Sequence, residues 1–227
     1  MICADKNERN SSAECLRCGT CCRQGGPALH TEDLALIEKG VLSPAKLVTV
    51  RRGEPAHNPI EDKILPSQAE FIKIKGQGNS WSCGFFEQAN NGCLIYKTRP
   101  LECRLLFCQK TKPLTEVMGR DLLDRSKLLA ENDPVLSLID RQEKECSYRL
   151  VNKLFSEIEL NQADLTEALS VLVRKDLAIR ELFLRDFSTR QGEELFLFGR
   201  PLFLVLAPHG FRLVEQDGAV NLKAITP

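Results

Sequence analysis

The sequence predicts an α+β fold in which a small cysteine-rich module, with short helices and a β-hairpin, is followed by a mainly α-helical C-terminal region. Nine of the ten cysteines fall in the first 110 of the 227 residues. Beyond Pro113, apolar residues recur three and four positions apart over long stretches, which is typical of amphipathic helices. We therefore expect a flexible leader over 1–14, a cysteine-cluster domain over 15–112 and a mainly helical region over 113–227.

Composition and charge exclude several classes of protein. A hydrophobic content of 43% is enough for a packed core and rules out a disordered chain. The 31 Lys and Arg balance the 31 Asp and Glu, so the chain lacks the positive charge typical of nucleic-acid-binding proteins. The most apolar stretch, 195–207, is interrupted by Gly199-Arg200-Pro201 and is shorter than the roughly 20 residues of a membrane span. We expect no nucleic acid and no membrane as partner, but an unknown protein partner or a small-molecule substrate.

The N-terminal residues indicate the compartment. They are polar and charged and lack the apolar core of a secretory signal, which predicts a cytoplasmic protein. In a reducing cytosol, clustered thiols persist as metal thiolates or redox-active pairs, whereas disulfide frameworks belong to small secreted domains. Cys3 stands outside every regular spacing, so we exclude it from the site.

Turn and cap signals predict the first elements. Residues 15–27 are turn-rich and hold four cysteines, and Gly19 lets the backbone wrap closely around a ligand, which predicts a chelating loop. Thr31 is then a helix N-cap, with acidic residues in the first turn and Gly40 as the C-terminal glycine. Ser43-Pro44 begins a second short helix by the same logic.

A strand and a hairpin follow. Residues 70–75 alternate apolar and polar side chains, which predicts a strand. Two β-prone runs within 81–96 flank an Asn-Gly turn signal and predict a hairpin that carries Cys83 and Cys93. Arg99-Pro100 opens a helix, because proline suits the first helical turn, and the last cysteines of the cluster lie on this helix or just after it.

The second half reads as helices with a terminal hairpin. Helical periodicity predicts amphipathic helices over roughly 115–131, 134–158 and 163–187. The last forty residues are more apolar, with 195–207 as a core segment, and 211–222 has the pattern of a hairpin around Asp217-Gly218.

The cysteines of the first half form the candidate metal site. Its predicted ligands are Cys15, Cys18, Cys21, Cys22, Cys83, Cys93, Cys103 and Cys108. The Cys-x2-Cys-x2-Cys spacing is shared with cubane iron–sulfur ligation, in which a fourth cysteine comes from elsewhere in the chain; the same loop suits zinc. Adjacent Cys21 and Cys22 would strain the backbone if both bound one tetrahedral ion. Eight thiols suffice for two four-thiolate sites, or for one cluster and a second, open metal site.

Other residues have both a functional and a structural interpretation. Four arginines lie within four residues of a cysteine and either donate to thiolate sulfur or form surface ion pairs: Arg17, Arg23, Arg99 and Arg104. His30 is the best-placed histidine for ligation, although most single histidines are structural. Five aromatic residues either shield a cluster or belong to the ordinary core, which is the default: Trp81, Phe85, Phe86, Tyr96 and Phe107. Cys146 is expected to be a buried, small apolar residue.

These motifs resemble the YkgJ-type cysteine-cluster family, the CxxCxxCC zinc- or iron-chelating domain that often occurs in iron–sulfur proteins. The opening motif of the family corresponds to Cys15, Cys18, Cys21 and Cys22, and its helix start is approximated by His30-Thr-Glu-Asp-Leu34. Its second half corresponds to Cys83-Gly-Phe-Phe, Cys93-Leu-Ile-Tyr96, Arg99-Pro100 and Cys103-Arg104. The family proline after the Cys-Arg pair is absent, and Phe107-Cys108 stands there instead. The resemblance covers about residues 12–110.

The resemblance implies metal binding without a defined reaction. We expect the chain to bind an iron–sulfur cluster, with [4Fe–4S] favoured, or zinc or iron, in a redox or cluster-dependent role. One alternative is a structural zinc module whose helices bind a protein. Another is a metal-dependent modifying enzyme such as a protein methylase using S-adenosylmethionine, since a flagellin lysine methylase has a similar cysteine cluster. Whether the chain is an enzyme stays open at this point.

Overall fold

The structure is a computed structural model that describes residues 15, 17–78, 80–108, 110–157, 161–216 and 218–225. The predicted leader over 1–14, with Cys3, lies outside the described residues, as does Asp217 of the predicted terminal turn.

Short elements alternate in the first half, and longer helices follow. The helices are α1 (Thr20–Arg23), α2 (Leu34–Glu38), α3 (Leu101–Leu105), α4 (Lys112–Val117), α5 (Leu136–Glu145), α6 (Tyr148–Ser156), α7 (Gln162–Asp186), α8 (Glu194–Phe198) and α9 (Leu202–Leu206). The strands are β1 (Leu47–Val50), β2 (Pro55–Asn58), β3 (Lys63–Pro66), β4 (Phe71–Ile74), β5 (Gly76–Gln77), β6 (Ser82–Cys83), β7 (Phe86–Glu87), β8 (Gly92–Cys93), β9 (Phe211–Gln216) and β10 (Ala219–Ala224). This order confirms the predicted α+β class.

The chain forms two compact units that alternate along the sequence. Of the described residues, unit 1 contains those up to Leu47 together with those of Phe71–Leu123, and unit 2 contains Val48–Glu70 together with those from Asp124 onward. The domain bounds expected from the sequence, 15–112 and 113–227, stay a prediction.

The centre of unit 1 is built from three chain segments that hydrogen-bond through their backbones. Leu29 N–H donates to the carbonyl of Ile72, Ile72 N–H donates to Leu123, and Leu123 N–H donates to Leu29. All three side chains are fully buried. Apolar residues with extended backbone thus bring together parts of the chain that flank the cysteines, because pairing satisfies backbone groups that burial removes from water.

Several predicted elements of unit 1 are confirmed. A 3₁₀ turn over 31–33 continues into α2, a single 3₁₀ turn follows Ser43, and β4 and α3 lie where the sequence places them. The cap of the first helix differs from the prediction, because the N-cap residue is His30, not Thr31. Its backbone N–H donates to the carboxylate of Asp33 over 3.0 Å.

The predicted hairpin exists, but it carries one of its two cysteines. Strands β7 and β8 pair antiparallel, with Phe86 opposite Cys93, and Asn91 in the turn has a φ of 51°. Cys83 belongs to a separate pair, in which β6 lies antiparallel to β5 and Cys83 faces Gly76. The prediction of a hairpin carrying both cysteines was therefore wrong, because the first run divides at Gly84 into two strands.

The predicted long helices have three different outcomes. Helix α7 confirms the prediction for 163–187. The predicted helix 134–158 is two helices, α5 and α6, because Ser147 has an extended backbone with ψ of 150°. The predicted helix 115–131 is wrong: α4 ends at Val117, and Gly119 and Asp121 then have positive φ angles of 75° and 47°. Apolar spacing alone did not reveal these breaks.

Unit 2 packs around α7. Helices α5 and α6 contact α7, and the terminal pair β9–β10, which confirms the predicted hairpin, packs on it through β10. The apolar segment 195–207 forms α8 and α9 and supplies buried core, as predicted. The hairpin β2–β3, with Pro55 opposite Pro66, was not foreseen. Among the described helices, none combines the length and apolar character needed to cross a bilayer.

Candidate metal centre

The chelating loop contains a single helical turn that presents two adjacent thiols. Helix α1 begins after Gly19, whose φ of 74° is in the left-handed region that glycine tolerates best. A Cβ at Gly19 would lie 2.7 Å from the ring of Phe86. The loop therefore approaches the β7–β8 hairpin closely at a position that favours glycine, and the close wrapping of this backbone around a ligand stays a prediction.

A hydrogen bond joins the two adjacent thiols of α1. The sulfurs of Cys21 and Cys22 are 4.0 Å apart. The hydrogen bond from Cys22 lowers the pKa of Cys21 to about 6, against the effect of burial and with help from the positive charge of Arg99. The same hydrogen bond, together with burial, raises the pKa of Cys22. The pair therefore holds Cys21 as the thiolate and Cys22 as the thiol that donates to it.

Three further thiols come from separate elements downstream. Cys83 is buried at the end of β6, a strand that contacts α1. Cys93 is half-buried at the end of β8, and Cys103 is half-buried in α3. Burial raises the pKa of each of these three thiols. As thiols without metal they are neutral groups at pH 7, so metal binding must displace their protons.

Electrostatic effects connect the early and late thiols. Negative charge at Cys21 raises the pKa of Cys83, Cys93 and Cys103, and charge at Cys15 also raises that of Cys93. Interactions between charges weaken with distance, so these effects act between thiols that lie near one another. The thiols linked in this way are Cys15, Cys21, Cys22, Cys83, Cys93 and Cys103. The structure thus brings the two cysteine-bearing stretches together.

The two remaining predicted ligands, Cys18 and Cys108, lie close in sequence to members of this group. Cys18 is exposed, and its thiol lies 3.3 Å from the hydroxyl of Thr20. Cys108 is half-buried beyond the end of α3. Cys15, which belongs to the linked group, accepts a hydrogen bond from the backbone N–H of Arg17 over 3.4 Å. Among the described cysteines, none takes part in a disulfide.

In the described hydrogen bonds, none of the four arginine side chains donates to sulfur. Arg23 donates to the carbonyl of Cys18 and to Asn91, while the ring of Phe86 lies 5.1 Å away. Arg104 pairs with Glu32 at the surface. The Arg17 and Arg99 guanidinium groups lie over the Tyr96 ring, at 4.5 and 4.0 Å from its centroid.

Arg99 is a cation that acts on two of the thiols. It donates to the carbonyls of Tyr96 and Cys103 over 3.0 and 3.3 Å, so its side chain joins the hairpin exit to α3. Its charge lowers the pKa of Cys21 and of Cys93. A fixed guanidinium beside several sulfurs offsets the repulsion among thiolates that gather around a metal.

Two carboxylates whose tertiary contacts the sequence did not predict connect the segment after the chelating loop to α3. The buried carboxylate of Asp33 accepts from the backbone N–H of Leu101, and Glu102 accepts from Ala28 and lies 3.4 Å from His30. His30 is buried in this arrangement. Acidic residues near cysteines were read as helix-cap signals only, and no local pattern could show that they reach across 68 or more residues.

The other predictions about single residues have different outcomes. Cys146 is fully buried in unit 2, and burial raises its pKa to about 12. Phe85 and Phe86 are buried core residues, whereas Trp81 is 38% exposed. The default interpretation of the aromatic group as ordinary core thus holds for two of its members and fails for Trp81.

The fit of a metal to these residues rests on donor chemistry. As the side chains stand, no three His, Cys, Asp or Glu residues of the described chain form a group that could hold a metal ion. The thiols nevertheless supply soft sulfur donors from α1, β6, β8 and α3, with a cation close by. Such donors select zinc, iron–sulfur clusters and copper(I) among biological metals.

Clustered thiols on short elements define the class of a cysteine-based metal-chelating domain. Residues 14–118 match the model of the CxxCxxCC family, described as a "putative zinc- or iron-chelating domain". The resemblance stated from the sequence is thereby confirmed, over somewhat less than half of the chain. The match supports metal binding in general. The search of curated proteins returned no match, and neither did the search of solved structures.

Proposed function

We propose that this chain holds an iron–sulfur cluster, with [4Fe–4S] favoured over a single zinc or iron ion. The proposed ligands are drawn from Cys15, Cys18, Cys21, Cys22, Cys83, Cys93, Cys103 and Cys108. The observation that carries the proposal is the close approach of the chelating loop to the later thiols: a Cβ at Gly19 would lie 2.7 Å from Phe86, which stands opposite Cys93, and α1 contacts β6, which ends at Cys83.

The spacing of the thiols favours a cluster. A structural zinc ion is saturated by four ligands, and its cysteines usually come in Cys-x2-4-Cys pairs. A cubane cluster also takes four cysteine ligands, and its Cys-x2-Cys-x2-Cys arm with one distant cysteine is the arrangement found here. The surplus thiols, Cys22 above all, then act as hydrogen-bond donors to the sulfurs of the centre or bind a second metal.

Charge and burial suit a cluster as well. Four thiolates around a cluster carry net negative charge, and the Arg99 guanidinium lies where it already lowers the pKa of two of the thiols. Cys83 is buried, and Phe85 and Phe86 follow it in the core of unit 1. Burial and hydrogen bonds to sulfur are the factors by which a protein sets a cluster's reduction potential.

A bound cluster supplies one-electron transfer, and the proposed role is therefore redox or cluster-dependent. We propose a cytoplasmic location because free clustered thiols persist in reducing compartments. The proposed partner is a protein or a small molecule, since a formal net charge of zero does not suit a nucleic acid.

Anaerobic purification tests the proposal. We expect iron and acid-labile sulfide in equal amounts, with broad absorption near about 400 nm that bleaches on reduction, as iron–sulfur clusters show. Colourless protein with stoichiometric zinc would instead identify the structural module, because zinc has a filled d shell. Iron without sulfide would identify a mononuclear site.

Single replacements show which thiols hold the metal. Cys83→Ser, Cys93→Ser and Cys103→Ser should each lose bound metal, because the hydroxyl is a poor ligand for soft metals. The matched control is Cys146→Ala, which removes a buried thiol of unit 2. Its metal content should equal that of the wild type. If the three serine variants keep full metal, the proposed ligand set is wrong.

A modifying enzyme is distinguished by its co-substrate. Isothermal titration of the metal-loaded protein with S-adenosylmethionine measures binding directly. Saturable binding would favour the methylase alternative over a purely redox role, and its absence would leave the electron-transfer role as the better account.

A further inference from the structure

The buried carboxylate of Asp33 joins two segments that are distant in sequence. One oxygen accepts from the N–H of His30 over 3.0 Å, and the other accepts from the N–H of Leu101 over 2.8 Å. Leu101 is the first residue of α3. Its N–H has no partner within the helix, and no side chain at Pro100, the N-cap, replaces it. Asp33 therefore caps α3 from 68 residues away.

Glu102 makes a second connection between the same segments. Its carboxylate accepts from the N–H of Ala28 over 2.9 Å and lies 3.4 Å from Nε2 of His30. Its side chain is 15% exposed, and that of His30 is 3% exposed. Three contacts thus hold residues 28–33 against the first turn of α3, and each of them uses a carboxylate oxygen as the acceptor.

The thiols lie at the two ends of this connection. Cys103 directly follows Glu102 on α3, and Cys22 precedes Ala28 by six residues. In the described hydrogen bonds, neither carboxylate contacts a sulfur; each contacts the backbone or His30. The pair consequently sets the distance between the chelating loop and the Cys103 thiol without being part of the donor set.

We propose that Asp33 and Glu102 are positioning residues that place the Cys103 thiol for metal binding. The inference rests on the proposed function, in which Cys103 is a ligand. Sulfurs from several separate elements reach a precise metal-binding geometry only if rigid contacts hold those elements in place. Two buried carboxylates with fixed backbone donors provide that rigidity, whereas a helix of five residues has little stability of its own.

Two conservative variants and one matched control test the role. In Asp33→Asn, one oxygen becomes an NH₂ group facing a backbone N–H, so one of the two hydrogen bonds is lost. Glu102→Gln has the same consequence at Ala28 or His30. The control is Glu32→Gln, which removes the neighbouring carboxylate of the same turn, whose contact is an exposed pair with Arg104.

Cobalt(II) titration of the purified protein gives the metal readout. Sulfur-to-cobalt charge-transfer absorption grows with the number of bound thiolates. We expect both variants to show the weaker absorption of Cys103→Ser and an affinity lower by about tenfold or more, as for other supporting residues of metal sites. Glu32→Gln should match the wild type. Unchanged absorption and affinity in both variants would overturn the inference.

A second measurement requires no metal. Alkylation of the metal-free protein by iodoacetamide, quantified at Cys103 by mass spectrometry, reports how firmly α3 is held. We expect faster labelling of Cys103 in both variants, with labelling of Cys146 unchanged as an internal standard. A purely structural loss would accelerate both thiols, and equal rates in variant and wild type would contradict the inference.

The two measurements separate the inference from the proposed function. Suppose that the wild type binds no metal, but Cys103 is still labelled faster in the two variants than in the wild type. The carboxylates then hold the thiol, and the metal-binding proposal fails. Metal binding by the wild type with variants indistinguishable from it would leave the proposed function intact and refute the positioning role.

Discussion

The two units of this chain are stabilised in different ways. In unit 1 the helices span four to six residues and the paired strands near the thiols span two. In unit 2 the 25-residue helix α7 organises the packing, and buried aromatic residues of α8 lie against it. Short elements cannot bury much apolar surface, so a unit made of them gains from a metal that joins its loops.

Unit 2 buries charge as well as apolar surface. Asp176 of α7 accepts hydrogen bonds from Gln142, from Arg180 and from the N–H of Leu202. Arg51 is fully buried and donates to Glu143 and to the carbonyl of Cys146. Unit 2 thus adds a buried network of ion pairs to its apolar core. Unit 1 instead gathers thiols from several short elements.

The largest expected effect breaks the internal network of unit 2. Asp176→Ala leaves the Arg180 guanidinium buried without its carboxylate, and loss of one partner of a buried pair costs about 3–5 kcal/mol. Hydrogen exchange of the α7 amides should accelerate accordingly. Asp186→Ala, at an exposed carboxylate of the same helix, is the control and should have little effect. Similar exchange in both variants would show that the network adds nothing.

Metal addition should stabilise unit 1 and leave α7 of unit 2 unchanged. At a free metal concentration of 100 times the dissociation constant, binding stabilises the folded state by about 2.7 kcal/mol. We expect slower hydrogen exchange in α1, β6, β8 and α3 of unit 1, and unchanged exchange in α7. A uniform effect across both units, or none in unit 1, would contradict the assignment of the metal to the thiols of unit 1.

A smaller effect is expected from two glycine replacements in unit 1. Their comparison distinguishes the cost of a left-handed backbone from the cost of a steric clash. Gly19→Ala introduces the cost of a left-handed residue, about 1–2 kcal/mol, and a Cβ that would lie 2.7 Å from Phe86. Gly40→Ala has the same backbone cost, at φ of 70°, but its Cβ meets no atom within 4 Å. We expect weaker metal binding in the Gly19 variant alone, measured by chelator competition. Equal binding in both would remove the close approach from the argument.

The smallest expected effect is a pH dependence in unit 2. Burial opposes the ionisation of Glu143, but hydrogen bonds and charges from Arg51 and Arg125 outweigh it and hold its pKa below the ordinary 4.5. The charged form thus stabilises the fold above pH 4.5, and this contribution is lost as the pH falls through the lowered pKa. The stability difference between wild type and Glu143→Gln, measured by urea unfolding, should therefore be constant near neutrality and shrink in acid. A constant difference down to acid pH would contradict this.

Local patterns predicted the elements whose signals are local. The periodicity of 163–187 gave α7, the alternation of 70–75 gave β4, and the Asn-Gly turn gave the β7–β8 pair. The breaks at Gly119 and Ser147 were missed, because apolar spacing continues across a residue whose backbone leaves the helix. The assignment of 48–70 to unit 2 was also beyond local patterns, since it depends on ion pairs such as Arg200 with Glu54.

The features of the candidate site also fall into two groups, those that the residue pattern predicted and those that depend on tertiary contacts. The residue pattern alone singled out the eight thiols, because metal chelation requires several sulfur donors and part of them stand at short, regular intervals. Which thiols approach one another, which cation accompanies them and which carboxylates support them were decided by the tertiary structure. The physical reason is range: residue spacing fixes geometry within a turn or two of chain, whereas Asp33 with Leu101 and Arg99 beside Cys21 depend on burial of segments some 70 residues apart.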